Sequence, residues 1–221
     1  MQADILPCLS SQPLSTLLSP AFPGCTIGDK LFSDFSAQTA GTLGNIDATL
    51  VNVLTSISPT GEFILEFTGG LTAAGGANGG VLDEAIGYHV STLSGAALID
   101  DLVLGVGPLQ DVGAGPDSAT VDEFACIGLN VRCTGSNANF TLSAIPGNTP
   151  SSLKITFAPV SSLSVTKTVK LDAAAGNTVT LQSLTNGVSQ VTSSVPEPGT
   201  MVLLGIALLF LAKIGRRKLA N

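Results

Sequence analysis

The chain contains one histidine, His89, and any Ser- or Cys-based nucleophilic triad would have to be built on it. Ser91 stands two residues along the same extended stretch, and Asp83 and Glu84 lie just upstream. Residues i and i+2 share a strand face by periodicity alone, and no Gly-x-Ser-x-Gly elbow is present, so His89 is expected to face solvent or a polar patch. Carboxylates occur in adjacent pairs, Asp83-Glu84, Asp100-Asp101 and Asp122-Glu123. Neighbours on a strand point to opposite faces, so no such pair can by itself flank a glycosidic bond. Hydrolysis of a sugar would need acids from separate strands to converge. Asp111-Val112-Gly113-Ala114-Gly115-Pro116-Asp117 offers loop oxygens for calcium but lacks the full spacing of an EF-hand. The Gly75–Gly80 run lacks the Lys-Ser/Thr ending of a phosphate loop and reads as a surface loop. With no Trp and a single Tyr, Tyr88, stacking on sugar rings is poorly provided for. No catalytic residue, metal site or cofactor is assigned.

The four cysteines fall into two close pairs, Cys8 with Cys25 and Cys126 with Cys133. An even count at short spacing suggests two disulfides formed in an oxidising compartment. Free buried thiols are the next reading. Zinc is last, because neither spacing is CxxC and His89 stands alone.

Charged residues make up 11% of the 221 residues, and Ser, Thr and Gly take their place. Such a hydroxyl-rich surface suits a secreted β protein better than a cytosolic enzyme. Residues 1–195 carry 15 acids and 5 bases, a balance of −10, whereas residues 196–221 carry 1 acid and 4 bases, a balance of +3. An acidic body does not neutralise phosphates, so DNA and RNA are excluded as partners.

The elements that would position these residues are strands. In Glu62-Phe63-Ile64-Leu65-Glu66-Phe67-Thr68, Phe63, Leu65 and Phe67 share one face and both glutamates the other. Ser162 to Leu171 repeats the device, with Leu163, Val165, Val169 and Leu171 on one face. Lys167 falls on that apolar face, which implies that the face is only partly covered or that Lys167 snorkels. Weaker strand patterns span Ala48–Ile57, Ala85–Ser91, Leu98–Gly105, Thr120–Cys126, Phe140–Ile145, Leu153–Phe157 and Thr178–Leu184. Turn formers such as Ser58-Pro59-Thr60-Gly61 and Ala175-Gly176-Asn177 separate them. The expected fold is all-β, an antiparallel β-sandwich of jelly-roll or Ig-like type.

Past the body, Pro196-Glu197-Pro198-Gly199-Thr200 leads into an uncharged run of Met201, Val202, Leu203, Leu204, Gly205, Ile206, Ala207, Leu208, Leu209, Phe210, Leu211 and Ala212. Lys213 follows, then Arg216, Arg217 and Lys218. From Gly199 to Gly215 the stretch is close to the shortest that spans a bilayer, about 17 residues. One transmembrane helix is expected, with the basic cluster on the cytoplasmic side and the body outside. A Pro-Glu-Pro motif, a short hydrophobic helix and a terminal basic cluster, in that order, resemble the PEP-CTERM sorting domain. The resemblance covers about the last 26 residues and speaks to address, not activity. It implies that the segment serves as a sortase-like substrate signal. An exosortase-type membrane protease would recognise Pro196, Glu197 and Pro198 at the outer face of the inner membrane. Proteins of this kind also carry a secretion signal, yet Met1-Gln2-Ala3-Asp4 opens without a basic n-region or long apolar h-region, so an upstream or removed leader is expected.

The domain organisation expected is a loop-rich segment over 1–30, a β-sandwich over 31–184, a tether over 185–195 and the sorting signal over 196–221. The functional expectation is an exported surface or extracellular-matrix protein without catalytic activity. The alternative is a secreted module that binds polysaccharide or calcium.

Overall fold

A computed structural model describes residues 5–44, 46–113, 117–129, 133–145 and 151–191. The first elements along the chain are β1 (Ser11–Pro13), α1 (Leu14–Leu17), β2 (Cys25–Ile27), β3 (Lys30–Thr39), β4 (Asn52–Ile57), β5 (Phe63–Thr68), β6 (Thr72–Ala74) and β7 (Gly80–Thr92). They are followed by β8 (Ile99–Val106), β9 (Leu109–Val112), β10 (Ser118–Ile127), β11 (Phe140–Ala144), β12 (Ser151–Val160), β13 (Ser162–Ala173), β14 (Thr178–Leu181) and β15 (Ser183–Gln190).

The strands form two six-stranded sheets, ordered β11-β10-β13-β7-β3-β2 and β1-β4-β5-β15-β8-β12, and a three-stranded sheet ordered β6-β14-β9. The strand pairs in all three sheets are antiparallel. Alternation accounts for the packing. Phe63, Leu65 and Phe67 of β5 are buried, as are Leu163, Val165, Val169 and Leu171 of β13. Both sets belong to one hydrophobic cluster that also takes in Ala73, Val179 and Leu181 of the small sheet. Each fully buried Phe, Leu or Val contributes roughly 1.5–3 kcal/mol. The β4–β5 connection turns through Ser58-Pro59-Thr60-Gly61, where the Gly61 N–H donates to the Ser58 carbonyl at 2.9 Å. Gly61 has φ +87°, which a residue with a Cβ adopts only under strain.

Two expectations need correction. Residues 185–190 are not a tether: β15 lies between β5 and β8, paired with both, at the centre of its sheet. Sparse bulk in Thr185-Asn186-Gly187 marks close packing on the outer side of this strand; a Cβ at Gly187 would sit 3.3 Å from the Val103 Cβ. Within residues 5–30, β1 and β2 each join one of the two large sheets, and Leu14 and Leu17 of α1 reach the core. Lys167 neither snorkels nor sits under a partly open face. It is 0% exposed, on the inner face of β13, where Asn186 of the facing sheet meets its partner Glu123.

Among the described residues no helix is long and apolar enough to cross a membrane. Pro196, Glu197, Pro198, the Met201–Ala212 run, Arg216, Arg217 and Lys218 lie outside the described residues.

Candidate functional site

The unusual chemistry of this body is inside it. Odd-numbered residues of β13 point inward, and Lys167 falls midway along that inner row, between Val165 and Val169. Its cross-strand partner on β10 is Glu123, so both side chains leave the same face of the sheet. From the opposite sheet, Asn186 of β15 projects inward between Leu184 and Val188. Lys167 and Glu123 are 0% exposed and Asn186 is 3% exposed. Lys167 Nζ is ion-paired with Glu123 Oε2. Asn186 Nδ2 donates to both Glu123 oxygens at 3.2 Å and to the Val103 carbonyl at 3.0 Å. One carboxylate therefore holds an amine from its own sheet and an amide from the facing sheet. Burial pushes the Lys167 amine well below the usual lysine range, because the ammonium has lost its water.

A second buried lysine shows what a purely structural one looks like. Lys30 Nζ donates to Asp29 Oδ1 at 2.6 Å, the Ala97 carbonyl at 2.9 Å and Gln190 Oε1 at 2.5 Å, and lies 5.0 Å from the centre of the Phe63 ring. All three ammonium protons are taken. Lys167 has no such set; its nitrogen is buried without a hydrogen-bond partner among the described residues, beyond its ion pair.

On the outer surface, His89 lies in a polar patch. A register shift in β3 between Ser33 and Ser36 brings Asp34 to it, with Nδ1 3.1 Å from Asp34 Oδ2. Asp34 takes the left-handed φ of +53° there, which Asp tolerates better than most residues. Ser33 Oγ donates to the same Asp34 oxygen at 2.9 Å, so this serine bonds the acid and not the imidazole. Ser36, His89 and Thr166 line an open depression at this place.

The paired carboxylates separate as strand geometry requires. Glu84 is buried and accepts from Thr39, while Asp83 is only half-buried. Asp101 binds Lys154 at 2.5 Å and accepts from the Ser189 N–H at 3.1 Å. In the loop considered for calcium, Asp117 accepts from the Ala174 N–H at 2.7 Å and from Asn177 Nδ2 at 2.6 Å. These bonds hold the Asp117 carboxyl below its ordinary range and, through a hydrogen bond between the two acids, push Asp111 up. Asp117 is thus occupied in fixing the turn before β14. Among the described residues no group of three or more His, Cys, Asp or Glu is placed to hold a metal ion. Both cysteine pairs form disulfides, Cys8–Cys25 and Cys126–Cys133.

Residues 194–218 match the PEP-CTERM protein-sorting motif. The chain carries a PEP-CTERM sorting signal. Comparison with curated proteins gives no match. Among solved structures, TmCBM61 in complex with beta-1,4-galactotriose aligns with 11% identity and a TM-score of 0.33, over 68% of this chain and 86% of that one. The glycoside hydrolase domain Spr0440, Endo-D, from Streptococcus pneumoniae R6 aligns with 13% identity and a TM-score of 0.31, over 68% and 21%. TmCBM27, a carbohydrate-binding module with specific mannan recognition, aligns with 8% identity and a TM-score of 0.25, over 73% and 99%. Likeness at this level transfers no ligand and no activity.

Sequence reasoning marked Lys167 as out of place, met Glu123 only as one of an adjacent acid pair, and passed over Asn186. The signal was available for Glu123: in β10 it alternates with Ala119, Val121 and Ala125, the apolar side of that strand.

Proposed function

We propose that this is an exported bacterial surface or extracellular-matrix protein whose β body is structural and not catalytic. Its C-terminal signal is processed by an exosortase-type membrane protease. The sorting motif at residues 194–218 carries this reading. Pro196, Glu197 and Pro198 form the recognition element, Met201–Ala212 crosses the inner membrane, and Arg216, Arg217 and Lys218 stay on the cytoplasmic side. The body then lies outside until processing releases it to the cell surface or into extracellular polysaccharide. Two disulfides support an oxidising destination. The separated carboxylates and the Asp34-bound His89 support a non-catalytic role.

The test replaces Pro196, Glu197 and Pro198 by alanine in a host that contains the protease, followed by fractionation and intact mass. The wild type is expected outside the cell, shortened near the motif. The variant is expected full-length in the inner membrane. Normal release of the variant would remove the sorting reading.

A further inference from the structure

A lysine, a glutamate and an asparagine in the middle of an otherwise apolar core are expensive to bury, and an ion pair there is weak evidence of added stability. Lys167, Glu123 and Asn186 nonetheless occupy the midpoints of the inner faces of β13, β10 and β15. We propose that Lys167 Nζ and Asn186 Cγ condense, with Glu123 carrying the protons, into an intramolecular amide that joins β13 to β15 across the two sheets. This goes beyond the sorting reading and stands whether or not that reading does.

The geometry supplies each requirement. Lys167 Nζ and Asn186 Nδ2 both rest on Glu123 Oε2, so the attacking and leaving nitrogens are no more than about two hydrogen-bond lengths apart, roughly 6 Å. The register holds them there, because Lys167 faces Glu123 across β10–β13 and β15 is pinned by ladders on both sides. Such fixed proximity replaces an encounter in solution. Desolvation favours the neutral amine, the nucleophilic form, over the ammonium.

The step balances without any other reactant. The Lys167 ammonium passes a proton to the Glu123 carboxylate, and the amine attacks Asn186 Cγ. As the Nζ–Cγ bond forms, the amine loses a second proton by way of Glu123, which protonates Nδ2. The Cγ–Nδ2 bond breaks, ammonia departs and takes up the remaining proton as ammonium, and Glu123 is a carboxylate again. Lys–NH3+, Glu–COO− and Asn–CONH2 become one secondary amide, Glu–COO− and NH4+. A buried cation is exchanged for a neutral group. Since β15 is the last strand before the sorting signal, the bond would hold that strand against a pull entering from the C-terminal side.

The experiment is intact mass and peptide mapping of the full-length chain, exported to an oxidising compartment, purified in detergent and reduced. The expected wild type is about 17 Da light, one ammonia, and trypsin leaves Lys167 uncut in a branched product joining 155–170 to 171–213. Lys167→Met and Glu123→Gln are expected at full mass. Asn186→Asp is expected about 18 Da light, because its carboxyl would lose water instead. A wild type at full mass with Lys167 cleaved overturns the proposal. So does a loss of about 17 Da that persists in Lys167→Met, which would mark cyclisation at Asn186-Gly187 alone. The wild-type mass decides the matter even if a variant fails to fold.

Discussion

Removing the Lys167 amine should leave a carboxylate stranded in the core. In Lys167→Met, Glu123 remains 0% exposed with only the Asn186 amide against it. Deleting one member of a buried pair costs about 3–5 kcal/mol, mostly as the penalty on the charge left behind. Replacing both members, in Lys167→Met/Glu123→Leu, fills the same space with apolar atoms and removes that penalty. Asn186 then still donates to the Val103 carbonyl. Both variants lack the lysine, so neither can carry a Lys167–Asn186 bond, and their difference isolates the stranded acid. The double variant is therefore expected to be more stable than the single one by about 3 kcal/mol. For a domain of this size that is roughly 6–12 °C in Tm. Urea unfolding at neutral pH, followed by circular dichroism, measures it as a shift in midpoint at constant slope. If the two variants unfold at the same urea concentration, the carboxylate is not stranded and the burial argument is wrong.

Two more predictions concern the rest of the body. Cys8–Cys25 spans 17 residues and Cys126–Cys133 spans 7, so loop-closure entropy assigns them about 3 and about 2 kcal/mol. Cys8→Ser/Cys25→Ser should thus lower Tm more than Cys126→Ser/Cys133→Ser does, by differential scanning calorimetry; the reverse order would sink the entropic account. Burial raises the Glu84 carboxyl above its ordinary 4.5, so its contribution is fully present below that value and is lost as pH rises through the raised one. Glu84→Gln keeps an acceptor for Thr39 and should match the wild type below pH 4.5 and exceed it at neutral pH; equal urea midpoints at both would contradict this.

Much of this protein is written locally. The alternation of Phe63, Leu65 and Phe67, and of Leu163, Val165, Val169 and Leu171, assigns each strand and its buried face without reference to any partner. The Ser58–Gly61 turn and the cysteine spacings are equally local, as is the order of Pro-Glu-Pro, apolar run and basic end at the C-terminus. What lies opposite a buried face is not local. Lys167 looked like an exception to its own strand, and only the covering sheet turns it into one corner of a closed cluster. Asn186 sits in a stretch too polar and too small to suggest a central strand, and its contact with Glu123 links residues 63 apart. The shift in β3 that gives His89 to Asp34 likewise follows from pairing with β7. Period-two patterning says which way a side chain points; strand order and register, set by long-range hydrogen bonding, decide what it meets.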